Sequence, residues 1–160
     1  MSTSEAGVPA PENLEPGKVV TVLSVSGSEA DSRSLGNLFR HTKWTLLHSP
    51  GCADAICLLT SYPVPVVLCD SSLPDGNWRD ILAGTAHLPH PPLLIVTSRL
   101  ADDRLWAEVM EHGGFDVLEK PLNQPELVRV VSLAWLAWKD QWQRAAGAGR
   151  AMNAAGEQTP

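Results

Sequence analysis

Val66-Val67-Leu68-Cys69-Asp70 is the stretch that decides the fold: four apolar residues in a row, with no polar alternation, running straight into a carboxylate. A short strand that is apolar on both sides needs cover on both faces, which is the position of a strand in a parallel sheet between two helical layers. Leu93-Leu94-Ile95-Val96-Thr97 repeats the pattern and ends on a hydroxyl. Working outward, Val19 to Val25 and Trp44 to Leu47 read as two earlier strands and Asp116 to Leu118 as a fifth. Amphipathic segments separate them. The pattern predicts a first helix capped by Asp31 or Ser32 and running to His41, then helices over Ala53 to Ser61, Trp78 to His87, Asp102 to His112, and Gln124 to about Ala146. Pro63, Pro65, Pro89, Pro91, Pro92 and Pro121 fall at the joins, where a missing N–H does least harm.

Strand and helix alternating five times imply parallel strands, right-handed crossovers and helices on both faces. The expectation is an α/β, doubly wound, five-stranded parallel sheet of the flavodoxin type with strand order 2-1-3-4-5. The chain has 160 residues, enough for one domain with a real core, placed at residues 18–146. Residues 1–17, with Pro9, Pro11 and Pro16, and residues 147–160, rich in Ala and Gly, read as tails without enough apolar surface to order themselves.

Composition narrows the function. Twelve Lys and Arg against 18 Asp and Glu leave a net charge of −6, the wrong sign for a nonspecific binder of nucleic acid or of an anionic membrane. Apolar runs are too short to span a bilayer, and the start of the chain lacks the pattern of a secretory leader, so the expected compartment is cytoplasmic. Three cysteines, Cys52, Cys57 and Cys69, match no zinc or CxxC spacing and read as buried reduced thiols. His87 and His90 approach each other only across a Pro-rich turn, which does not make a metal site.

In a doubly wound sheet, side chains that do chemistry collect at the carboxyl ends of the strands. Asp70, Thr97 and Lys120 lie at three such ends. A carboxylate, a hydroxyl and an ammonium converging on one edge suit phosphoryl transfer to the carboxylate, with Lys120 and Thr97 holding phosphoryl oxygens. Singly, each has a plain structural reading: a turn cap, a β-former and a solvated charge.

The strand ending in Asp70, the following Ser71-Ser72-Leu73-Pro74-Asp75-Gly76, Val96-Thr97-Ser98 and Gly113-Gly114-Phe115-Asp116-Val117-Leu118-Glu119-Lys120-Pro121 resemble the receiver domain of two-component response regulators. The resemblance covers about Lys18 to Gln143. It implies that Asp70 is the phosphoacceptor, Thr97 the switch hydroxyl and Lys120 the phosphoryl-binding lysine, with a cis Lys120-Pro121 bond. It also implies Mg²⁺ held by Asp70 and the Ser72 carbonyl, a histidine kinase or phosphotransfer protein as donor, and a downstream partner or a second copy meeting helices 4 and 5. On this reading the chain is a single-domain response regulator of a phosphorelay and not an enzyme.

Three departures define the alternative. The family places acidic Mg²⁺ ligands after its first strand, where this chain has Val25-Ser26-Gly27-Ser28; Glu29 or Asp31 could reach into the site from the following residues, although Asp31 reads first as a helix cap. Val117 stands where the family usually has an aromatic residue, and the loop between Pro74 and Gly76 is short. Without the acidic pair a direct Asp70 to Lys120 ion pair becomes easier, which fits a phosphorylation-independent pseudo-receiver acting as an interaction module. A third reading takes Ser26-Gly27-Ser28 as an anion nest for a nucleotide or flavin phosphate. No Ser, His and Asp set is placed for hydrolysis.

On the last helix Trp135, Trp138 and Trp142 fall at i, i+3 and i+7, along one side, while Leu127, Val130, Val131 and Ala134 form a second stripe. The tryptophans, together with Trp106, form a candidate partner surface; the competing reading has Trp135 and Trp138 closing the core.

Overall fold

The computed structural model describes residues 20–157, with side chains through residue 147. Its main sheet is formed by β1 (Thr21–Val25), β2 (Thr45–Ser49), β3 (Val66–Asp70), β4 (Leu93–Ser98) and β5 (Asp116–Glu119), all parallel, in the order β2-β1-β3-β4-β5. Five helices join and follow them: α1 (Glu29–Phe39), α2 (Cys52–Ser61), α3 (Trp78–Thr85), α4 (Asp103–Glu111) and α5 (Gln124–Glu157). This is the doubly wound, flavodoxin-like architecture that the apolar runs imply.

The period of two along each strand sorts side chains to opposite faces. Leu23, Val25, Val67, Cys69, Leu94 and Val96 meet Ala55 and Leu59 of α2, Trp78 and Ile81 of α3, and Val109 of α4. Val22, Val66, Leu68 and Ile95 meet Leu35 and Phe39 of α1 and Leu127, Val130, Val131 and Ala134 of α5. With β1, most of β3 and the centre of β4 buried on both sides, each large apolar side chain contributes about 1.5–3 kcal/mol of burial.

Four local expectations are corrected. The first helix begins earlier, capped by Ser28, whose Oγ accepts from the Asp31 N–H; Asp31 and Ser32 lie inside the first turn. The loop after β3 folds into a two-residue antiparallel ribbon, Ser72–Leu73 with Gly76–Asn77. Cys57 is exposed on α2, whereas Cys52 and Cys69 are buried as expected. The last helix continues past Ala146 to Glu157, because Ala148, Ala151, Ala154 and Ala155 are strong helix formers in the stretch read as a tail. The expected tail at residues 1–17 lies outside the described residues.

Loop closure places the strand ends. At the α4 to β5 turn, Gly113 takes φ +91°, and a Cβ on Gly114 would sit 2.3 Å from Val109 Cγ1. Only glycine lets this turn pass so close beneath α4. The N-cap position of α2 is Gly51, which has no side chain to cap the helix, and the Asp75 carboxylate does so from the turn of the ribbon, accepting from the N–H of Cys52 at 2.7 Å and of Ala53 at 3.1 Å. These two amides hold the Asp75 carboxyl below its usual range.

Candidate functional site

Strand register brings the three expected residues together. Asp70 is the register partner of Thr97, and Lys120 follows Glu119, the partner of Ser98. Parallel neighbours lie about 4.8 Å apart, so consecutive strand ends present a carboxylate, a hydroxyl and an ammonium within reach of one another. Thr97 Oγ1 donates to Asp70 Oδ1 at 2.9 Å, and Lys120 Nζ reaches the same oxygen at 2.6 Å. The Lys120-Pro121 bond that follows is cis.

Two further groups complete the set. Ser26, at the end of β1 and buried, donates its hydroxyl to Asp70 Oδ2 at 2.6 Å. Asp31 accepts from Lys120 Nζ at 2.8 Å and from the Arg99 guanidinium at 3.1 Å, so it is a member of the site and not the cap expected of it. The Arg99 and Lys120 donors lower the Asp31 carboxyl to about pKa 2. The arrangement is a chain of alternating charge, Arg99, Asp31, Lys120, Asp70, closed by two hydroxyls. Lys120 is 11% exposed and Asp70 16% exposed, and the group opens on one side to a cavity of about 320 Å³ lined by Ser71, Ser72, Ser98 and Arg99.

Asp31 had only a positional signal: it stands three residues after the Ser28 cap, in the first turn of α1, where the Ser28 N–H donates to Ser26 Oγ and leaves the Asp31 carboxylate to Lys120. Arg99 carried none: it follows the β4 end in sequence, and only the approach of α1 gives it a partner.

The donor set does not fit Mg²⁺. That ion takes near-octahedral oxygen ligands, usually one or two carboxylates with water and phosphate. Here Asp70 Oδ1 already accepts from two donors and Oδ2 from one, and Asp31 is held between two cations. Ser26 is neutral, and a Cβ on Gly27 would lie 2.7 Å from Pro74 Cγ, so the ribbon loop fills the space where the next residue's side chain would stand. Among the described residues, no group of three His, Cys, Asp or Glu is placed to hold a metal.

The tryptophan stripe divides. Trp138 is 1% exposed and belongs to the core, so it is not an open contact residue. Trp142 stacks on it with ring centroids 5.1 Å apart, and Trp135 lies half-buried under the Lys139 ammonium, 4.9 Å from its ring. Trp106 is 51% exposed on α4, and among the described residues Leu133 and Leu136 are the large apolar side chains exposed on α5, outside the tryptophan stripe. No described helix is long and apolar enough to cross a membrane.

No known family profile matches the chain, and no curated protein does. Solved structures do. The signal receiver domain of a putative Luxo repressor protein from Vibrio parahaemolyticus is 22% identical, with a TM-score of 0.70 over 77% of this chain and 95% of that one. The receiver domain of an HD domain-containing protein from Pseudomonas fluorescens Pf-5 is 23% identical, with a TM-score of 0.72 over 79% and 94%. A CheY-like receiver domain protein from Methanospirillum hungatei JF-1, 14% identical, gives 0.68 over 78% and 99%. The chain therefore carries a receiver-like domain, with the fold of the response-regulator receivers.

Proposed function

We propose that this protein is a receiver-fold signalling module that works as a protein-interaction element without phosphoryl transfer. The carrying observation is the closed hydrogen-bond set of Asp70: Ser26, Thr97 and Lys120 take up both carboxylate oxygens, and Asp31 shares the same lysine. A carboxylate attacks phosphorus with a free lone pair, and the transferred group needs cations to neutralise its charge. Here three of the four lone-pair positions are engaged, both of those on Oδ1, and the ammonium is shared by two carboxylates.

On this reading the network keeps the ends of β4 and β5 in one arrangement, and these strands lead directly into α4 and α5. The exposed Trp106 and Met110 on α4 and Leu133 and Leu136 on α5 then form the surface for a downstream partner or a second copy.

The second reading, a phosphorelay receiver fed by a histidine kinase or phosphotransfer protein with Mg²⁺, has one observation in its favour: Asp70 retains Thr97 and Lys120 and faces an open cavity. Intact mass after incubation with a small-molecule phosphodonor and Mg²⁺, with Asp70→Asn as control, separates the two. The proposal expects no adduct. A gain of about 80 Da that is absent in the Asn variant overturns it and gives Asp70 the phosphoacceptor role.

A further inference from the structure

We infer that the apolar run Gly7-Val8-Pro9-Ala10-Pro11 of this chain docks in an aromatic groove at the opposite end of the sheet from Asp70. The groove, about 220 Å³, is formed by Tyr62, Pro63, Leu88, Pro89, His90 and Trp142. Its floor is held in place: the Trp142 ring lies 4.2 Å from His90 and 5.1 Å from Trp138, and Trp138 is locked in the core. A ring already fixed by packing loses little freedom when something covers it.

The choice of occupant rests on chemistry and on tether. Proline-rich segments are preformed as polyproline II and bind in aromatic-lined grooves. The groove lining contains no Asp, Glu, Lys or Arg, and neither does Gly7 to Pro11, whereas Glu12 and Glu15 follow it. Pro63 and His90 lie just before β3 and β4, at the N-terminal edge of the sheet. The chain enters β1 at that same edge, and β1 is the register neighbour of β3, with Val22 opposite Val66. From Val20 back to Pro11 the chain can reach about 28 Å at the polyproline II rise, against about 5 Å per strand spacing. A short tether of this kind gives a millimolar effective concentration, so even a weak contact is populated.

A nitroxide attached at Ala10→Cys in a Cys57→Ser background tests this in the full chain. Cys57 is the exposed thiol, while Cys52 and Cys69 are buried and their thiols are pushed up in pKa, Cys52 to about 11, so the label goes to position 10. The expected result is loss of most of the amide signal of Tyr62 and His90 and of the Trp142 indole signal. Pro9→Ala with Pro11→Ala, which alters no residue of the groove, should restore those signals. Signals at these residues that do not change between oxidised and reduced label overturn the inference. So does broadening that appears only when labelled protein is mixed with isotope-enriched unlabelled protein, which places the segment on a second copy.

Discussion

Lys120 holds two carboxylates with one ammonium, and its removal leaves Asp70 without a cation and Asp31 with Arg99 alone. Breaking one partner of a largely buried pair costs far more than the pair contributes, so Lys120→Ala should lower folding stability by about 3 kcal/mol in urea unfolding. Asp31 gives the site a pH signature. Its folded pKa of about 2 lies below the unfolded value of 3.8, so its contribution is complete above about pH 4 and is lost as pH falls towards 2. Asp31→Asn should flatten the stability profile in that window, and an unchanged acid limb would show that the Arg99 and Lys120 contacts do not form in solution. Thr21 presents the opposite case: its hydroxyl is buried without a hydrogen-bond partner among the described residues. Thr21→Val removes an unsatisfied polar atom at nearly constant shape and should raise stability by about 1 kcal/mol.

At the scale of elements, the loop beyond β3 does two jobs that its length alone does not reveal. It supplies Asp75 to the start of α2, and it sets Pro74 against Gly27 beside the Asp70 site. Its far end caps α3 through Asn77, reciprocated by Asp80. Asn77→Ala should cost about 1 kcal/mol in thermal or chemical unfolding. Gly114→Ala forces a methyl into Val109 and should cost more than that, since both the side chain and the backbone of Val109 stand in the way. Strand identities and most helix boundaries were legible because each apolar run is buried as a unit. The ribbon was not, since a two-residue pairing has no hydrophobic period to read. Nor was the extension of α5, since its Ala and Gly residues carry little apolar surface to bury and Ala's helix propensity is the stronger influence there.

For the molecule as a whole, α5 covers one face of the sheet with only part of its length. Its first turns cover the sheet through Leu127, Val130, Val131, Ala134 and Trp138, and the helix runs on through 34 residues, about 50 Å. Trp138→Ala should cost about 3–5 kcal/mol, whereas Leu136→Ala, 53% exposed, should stay within about 0.5 kcal/mol. A large loss at Leu136 would mean that its face is covered in the folded protein and is not free for a partner.

The sequence by itself determined the layers and the three strand-end residues. Unbroken apolar runs require cover on both faces, and a parallel register then delivers Asp70, Thr97 and Lys120 to one edge whatever the loops do. The missing acidic pair after β1 was equally legible, since Ser26 and Gly27 carry no charge. Tertiary structure alone decided what replaced it. Asp31 belongs to a different element from Asp70, Lys120 and Arg99, and nothing local marks it as their partner. The packing of α1 against the sheet brings that carboxylate to the largely buried Lys120, where low solvent exposure strengthens the attraction, and to the exposed Arg99, and so turns a strand-end constellation into a connected network.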